Sequence, residues 1–483
     1  MELDDTLCYQ ALTSRDARFD GRFFTAVKTT GIYCRPVCPA RKPLLKNVAF
    51  YASAAAAELS GFRACRRCRP DAAPGSPEWR GSSALLSRAL RMIHAGALNE
   101  GSVEDVARAL GVSPRHLDRI FQHELGAAPK AIGQSARAHL ARRLLDETSM
   151  TMTEVALHSG FQSVRRFNAS LKERFGAAPR DLRNAKGKPA AKHAGRAFEL
   201  QLSYRPPYDW NGMLSFLAAR AIPGMELVEG NSYQRALLWE GHEGSLELAP
   251  TVGANAFTMR LDLAAPRGLQ ALVERVRDLF DLSADPLAIE ETLSQDEPMA
   301  AWVRALPGVR VPGAFDGYEL ALRAILGQQV SVKAARTLLG RVVQGAGPAV
   351  ATGIEGLTHV FPSAEDVIAA DWSQLGVPRS RVSALLALSE AVRDGTVDLS
   401  PTADPIATRA SLIALPGIGE WTADYILMRA LRDPDAFPAG DLGLRKALNI
   451  EAGSSAKRQL EQRSEAWRPW RAYAALLLWR QLG

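Results

Sequence analysis

LPGIGEWTADYILMRALRDPDAFPAGDLGLRKAL, residues 415–448, is the stretch that says most about the chain. Its opening LPGIG sets Gly417 and Gly419 in a tight turn between two segments of helical apolar spacing. A hairpin of that kind leaves backbone N–H groups near the start of its second helix, where a phosphate binds without basic side chains. Twenty-two residues past Gly419 stands Asp441, preceded by Pro438, Ala439 and Gly440. Taken alone, such an aspartate is a helix N-cap. Helical periodicity extends from about residue 266 to the end. Before it, FELQLSY (198–204), YQRALLWEG (233–241) and FTMRLDL (257–263) alternate like strands of a small sheet.

The 483 residues are 47% apolar and 23% charged, enough for three or four domains, each with its own core. No run approaches the roughly 18 apolar residues of a membrane span, so no membrane partner is expected. The first residues, MELDD, are acidic where a secretory signal is basic. Formal charge is +7 but uneven: residues 1–190 carry 30 Lys+Arg against 18 Asp+Glu (+12), and the rest 29 against 34 (−5). The front therefore reads as a partner for a polyanion. Linkers rich in small residues at 70–83 and 184–196 separate three parts.

All five cysteines lie in the first part: Cys8, Cys34, Cys38, Cys65 and Cys68. Cys34-x3-Cys38 and Cys65-x2-Cys68 are paired knuckles, and four thiolates complete a tetrahedral Zn²⁺ shell. A redox pair leaves the first knuckle unexplained. With every ligand from protein there is no metal-bound water, so any chemistry is at sulfur; a structural zinc is the favoured reading from these residues alone. Arg35, Arg41, Lys42, Lys46, Arg63, Arg66, Arg67 and Arg69 surround the knuckles and offer enough charge for a phosphate backbone. Cys8 has no partner in the scheme and reads as a buried free thiol.

The middle part contains a repeat. Setting VEDVARALGVSPRHLDRIF (103–121) against MTEVALHSGFQSVRRFNASL (152–171) aligns Ala107 with Ala156 and Gly111 with Gly160. A short helix, a Gly turn and a second helix follow in each copy, which is helix-turn-helix spacing. The second helices, near 114–124 and 163–174, expose Arg115, His116, Arg119 and Gln122 in one copy. In the other they expose Ser163, Arg165, Arg166, Asn168 and Lys172. Side chains of these types reach base edges or phosphates in a major groove.

Resemblances extend these readings. TTGIYCRP with both cysteine spacings resembles the zinc domain of Ada methylation-response proteins. That implies that Cys34 accepts a methyl group from a DNA methylphosphotriester, with Cys38, Cys65 and Cys68 as further Zn²⁺ ligands. VALHSGFQSVRRFNASLKERFGAAPRDLR is similar to the paired module of AraC-type activators, implying promoter DNA and RNA polymerase as partners. LPGIG with Asp441 resembles the helix-hairpin-helix glycosylases. YRPPYDWNGMLSFLAARAIPGME (204–226), YELALRAILGQQVSV (318–332) and WRPWRAYAALLLW (467–479) narrow this to AlkA-type DNA-3-methyladenine glycosylases. Implied there are a catalytic Asp441 and a base pocket of Trp421, Tyr425 and Trp479, with Gln329 at the position of the wedge that fills the gap left by a flipped base. A superfamily lyase carries Lys where Trp421 stands, so a water-using enzyme is implied.

The expected fold class is multidomain and mostly α. Residues 1–72 form a small α+β zinc domain and 84–183 an all-α paired helix-turn-helix. Residues 197–483 form a glycosylase with a β-rich subdomain (197–285) and a helical body (286–483). The expected function is excision of alkylated bases (3-methyladenine, 7-methylguanine class) from double-stranded DNA, joined to methyl acceptance and transcription regulation in a bacterial-type cytoplasm, at the nucleoid. The rival is chiefly an activator with a degenerate glycosylase. The acidic part is expected to grip DNA through hairpin amides and to hold a cationic base on aromatic rings, where excess positive charge is a handicap. No Cys follows residue 68, so a second, Pro-Cys-His methyltransferase is not expected.

Overall fold

A computed structural model describes residues 4–74, 84–184, 197–263, 268–373 and 375–482. Most of both expected linkers (75–83 and 185–196) lies outside the described residues. Contacts divide the chain into two compact units. The first is Met1–Pro206 with Leu248–Arg277 and Leu282–Asp285; the second is Pro207–Glu247 with Asp278–Asp281 and Pro286–Gly483. As expected, the chain is multidomain and mostly helical, with small sheets.

The first unit opens with helix α1 (Asp5–Ser14), whose cap Asp4 accepts from Thr6 N and Leu7 N. Four short strands follow, β1 (Phe24–Val27), β2 (Ile32–Cys34), β3 (Val48–Tyr51) and β4 (Arg63–Ala64), in the order β3-β1-β2-β4. Helix α2 (Ala54–Leu59) lies between the last two in sequence. The β2–β4 pair is parallel and sets Tyr33 opposite Ala64, so Cys34 and Cys65 leave neighbouring strands side by side.

Eight helices follow: α3 (Ala84–His94), α4 (Ala97–Glu100), α5 (Val103–Ala109), α6 (Pro114–Leu125), α7 (Pro129–Glu147), α8 (Met152–His158), α9 (Val164–Phe175) and α10 (Pro179–Asn184). Both first helices of the repeat start on a capping box, Ser102 with Asp105 and Thr151 with Glu154. Both second helices start on a serine cap, Ser113 and Ser163. The turns differ in length: four residues (110–113) separate α5 from α6, and five (159–163) separate α8 from α9. Gly160 has φ +87°, a backbone conformation that favours glycine, and a Cβ there would also push on the Asn99 side chain. Leu117, Phe121 and Leu125 in one copy and Phe167, Leu171 and Phe175 in the other are buried at helical spacing. Strand Ala197–Ser203 pairs antiparallel with Ala256–Leu263 over seven residues in the same unit.

The second unit is helical apart from strands such as the antiparallel pair Glu226–Glu229 and Ser232–Trp239. Helices Pro405–Ile413 and Glu420–Arg429 form the hairpin. At its turn Gly417 has φ +79°, and an added Cβ would lie 2.9 Å from Ala384 Cβ, so the turn needs glycine twice over. Leu412, Ile418, Ala423 and Ile426 bury the hairpin's inner side. Beside them lies a buried ion network: Arg323 bridges Glu226 and Glu319 at 2.6 Å each, and Arg235 pairs with Glu319. Because each of these charges has a partner, their burial is tolerated.

Candidate functional site

A cavity of about 780 Å³ opens in the second unit, lined by Trp421, Tyr425, Asp441, Trp479, Phe216 and Arg220 among others. That is within the size range of small-ligand sites and ample for a nucleobase. Asp441 is the N-cap of the short helix Leu442–Ala447, its Oδ1 accepting from Leu444 N at 2.8 Å. The capping role and a place in the cavity coexist. Trp479 Nε1 donates to the same Oδ1 at 2.9 Å, and Trp421 Nε1 donates to Oδ2 at 2.7 Å. Trp421 also stacks on Tyr425, with ring centroids 5.3 Å apart and planes 10° from parallel. One of its faces is therefore already covered.

Basic residues stand beside the rings as well as carboxylates. Arg220 and Arg429 both line the cavity, Arg220 lying 3.8 Å over the Phe216 ring and Arg429 4.9 Å from it. Arg429 donates to Pro312 O, Gly313 O and the Tyr425 hydroxyl, so its donors fix that ring while it keeps its charge. Burial alone raises the Tyr425 phenol, but the guanidinium groups of Arg429 and Arg220 outweigh it and hold it below its ordinary value. The sequence reading singled out neither arginine. Each looks like an ordinary basic residue on an amphipathic helix, and no local spacing marks its aim.

Gln329 occupies the turn between helices Gly317–Leu326 and Val332–Ala346, exposed and with φ +53°. Gly327 and Val330 line the cavity; Gln329 is not among its lining residues. Its neighbour Gln328 donates to Gly417 O at 3.0 Å and to Thr422 Oγ1 at 2.9 Å, tying this turn to the hairpin. Gly417 and Gly419 are exposed around a buried Ile418, as a phosphate-gripping turn requires. Glu420, in the first turn of the second helix, is paired with Lys457.

In the first unit the donor atoms of Cys34, Cys38, Cys65 and Cys68 all lie within 4.8 Å of one another, and all four residues are buried. Such crowding opposes ionisation of the whole set unless a cation shares it; Cys38 and Cys65 push the Cys34 thiol up. A four-thiolate Zn²⁺ site fits this donor set. Arg35 N donates to Cys68 Sγ at 3.3 Å, the kind of outer contact that steadies a ligand sulfur. Burial pushes the Cys8 thiol up to about 12, outside the reactive range.

Two of the eight basic residues around the knuckles do not face outward. Arg35 clasps Asp20, and Arg69 pairs with Asp71 at 2.6 Å and Asp146 at 3.0 Å. Arg41, Lys42, Lys46, Arg63, Arg66 and Arg67 are exposed. Arg115 and Arg119 on α6 and Arg165 and Arg166 on α9 are exposed too, opposite the apolar faces that bury those helices. The zinc domain also holds the far ends of both helices. Ser53 Oγ donates to Leu125 O at 2.7 Å, and Arg66 reaches Phe175 O and Gly176 O at 3.4 Å each. Between them, buried Glu58 accepts from Tyr33 OH at 2.8 Å, lies 3.3 Å from His139 Nε2 and pairs with Arg174 of α9.

Four families match the chain in order: the metal binding domain of Ada over residues 7–71, a helix-turn-helix domain over 106–185, the AlkA N-terminal domain over 199–316, and the HhH-GPD superfamily of base excision DNA repair proteins over 322–472. A probable bifunctional transcriptional activator/DNA repair enzyme AlkA of Mycobacterium tuberculosis is 42% identical across 100% of this chain and 97% of its own. DNA-3-methyladenine glycosylase 2 of Escherichia coli is 34% identical over 58% of this chain and 95% of its own. Among solved structures, a 3-methyladenine DNA-glycosylase from Archaeoglobus fulgidus shares the fold at a TM-score of 0.51 and 21% identity, over 58% of this chain and 96% of its own.

Proposed function

The chain belongs to the family of bifunctional transcriptional activator/DNA repair enzymes of AlkA type, and on that premise we propose that Asp441 and Cys34 are its two catalytic side chains. An AlkA-like DNA-3-methyladenine glycosylase is joined here to an Ada-type zinc domain and a helix-turn-helix regulator. The observation that carries the reading of the first site is a carboxylate held by three donors inside an aromatic-lined cavity.

Alkylation at purine N3 or N7 makes the base cationic and a good leaving group. Once the nucleotide is flipped, the C1′–N bond breaks with its electron pair going to the base, which leaves neutral. The Asp441 carboxylate stabilises the positive sugar that remains. Water oxygen then bonds to C1′ and its proton passes to solvent. Trp421, Tyr425 and Trp479 offer electron-rich rings to the cationic base, at about 0.5–2 kcal/mol each. Gln329 enters the duplex where the base has left, and the amides around Gly417 and Gly419 hold a backbone phosphate. Release of 3-methyladenine or 7-methylguanine from alkylated duplex DNA by the full chain tests the reading. No release would leave the activator role alone.

At the zinc site Cys34, Cys38, Cys65 and Cys68 hold Zn²⁺, which when bound keeps the sulfurs deprotonated. Cys34 Sγ attacks the methyl carbon of a methylphosphotriester; the S–C bond forms, the C–O bond breaks and its electrons stay on the phosphate oxygen. An anionic sulfur becomes a neutral thioether, which repels DNA less and favours promoter binding and contact with RNA polymerase. The zinc-loaded chain incubated with methylphosphotriester DNA is expected to gain one methyl mass on the peptide carrying Cys34. Mass elsewhere, or none, reduces the domain to a structural zinc.

Binding by the helix-turn-helix module is expected to weaken steeply with salt. Removing one phosphate contact, as in Arg166→Ala, should flatten the log–log slope by about one. An unchanged slope places that arginine off the backbone.

A further inference from the structure

The two tryptophans of the cavity do something that ring stacking does not require: each aims its indole N–H at Asp441. Trp421 Nε1 lies 2.7 Å from Oδ2 and Trp479 Nε1 2.9 Å from Oδ1, and these residues come from sequence positions 20 before and 38 after the aspartate. Leu444 N adds a third donor, 2.8 Å from Oδ1. A carboxylate has about four lone-pair sites. Oδ1 has accepted two bonds and Oδ2 one, so the vacant acceptor position is on Oδ2. Trp421 is in addition fixed by its stack on Tyr425, whose hydroxyl Arg429 holds at 2.6 Å. The donor to Oδ2 thus stands on a braced column of side chains that ends at Pro312 O and Gly313 O.

We propose that Trp421 and Trp479 are positioning residues for Asp441, which through their indole N–H groups hold its carboxylate in one orientation with one Oδ2 lone pair left for the reacting sugar. This rests on the reading that Asp441 is the carboxylate at the sugar. Three donors already occupy three of the acceptor positions, so the arrangement suits charge stabilisation at C1′ better than proton removal from water. The rings can still meet a base. Trp421, however, offers only the face that Tyr425 leaves uncovered, and its polar edge is committed to Asp441.

Trp421→Phe and Trp479→Phe keep an aromatic face and remove the donor. In single-turnover excision of 3-methyladenine by the full chain, each is expected to lower the maximal rate about 10- to 100-fold, the loss of one hydrogen bond to a charged group. Half-saturation by lesion DNA should stay within about threefold. Affinity for a duplex carrying a non-cleavable abasic analogue serves as the folding control. In an Asp441→Asn background the same Phe changes should cost under about threefold, because a neutral amide leaves no charge to steady. A raised half-saturation with unchanged maximal rate overturns the proposal, as does an equal loss in both backgrounds. In those cases the carboxylate keeps its role and the tryptophans only stack. Wild-type rates from Asp441→Asn itself would instead sink the reading of the site, and the proposal with it.

Discussion

Asp441→Asn is expected to slow single-turnover excision of 3-methyladenine by about 10²–10³-fold while the chain stays folded. Asparagine is as good a helix N-cap as aspartate, so its Oδ1 can still accept from Leu444 N and start the helix Leu442–Ala447. What is lost is the negative charge that the proposed role sets against a developing cation on C1′. One indole also loses its acceptor, because the amide presents N–H where a carboxylate oxygen stood. The melting temperature should therefore move little and the excision rate a great deal. A variant as fast as wild type would show that the charge of this side chain does not matter to the chemistry. A variant that fails to fold would contradict the N-cap argument instead.

How much of this could be read from sequence depended on how local each signal is. The hairpin and its glycines were legible because a positive-φ turn between two periodic segments leaves a mark within five residues, and Gly417 bears it out. The cysteine knuckles were legible for the same reason. The repeat was legible too, although the fixed shift aligned on Ala107 and Ala156 breaks after Gly160, where the second turn holds one residue more. The direction of a polar edge was not legible. Trp421 and Trp479 stand 58 positions apart, and only the fold shows that both indoles meet one carboxylate. Counting charge failed in a similar way, since a count cannot separate an exposed cation from one with an internal partner. Arg35 and Arg69 were placed with the DNA-facing residues but are held by Asp20, Asp71 and Asp146. The acidic remainder, likewise, holds Arg235 and Arg323 against buried glutamates.

Removing the metal is expected to cost the helix-turn-helix module most of its DNA affinity, though no residue of α5–α9 ligates anything. A structural zinc contributes on the order of 10 kcal/mol or more to the fold around it. Four sulfurs within 4.8 Å cannot keep their arrangement as thiolates without that cation. The parallel β2–β4 pair carries Cys34 and is followed at once by Cys65, so both knuckles loosen together. Arg66, between Cys65 and Cys68, then leaves the carbonyls of Phe175 and Gly176, where its charge suits the C-terminal end of α9. Tyr33, next to Cys34, leaves Glu58, which also holds Arg174 of α9. Buried, Glu58 must then lose a partner or take on water, and α9 loses the support that presents Arg165 and Arg166. Chelation is expected to weaken binding to a duplex selected by the zinc-loaded chain at least tenfold, and Zn²⁺ to restore it. Arg66→Ala and Glu58→Gln should reproduce about three- to tenfold of that loss with zinc content unchanged. Affinity indifferent to chelation would mean that the two domains share a contact but no stability.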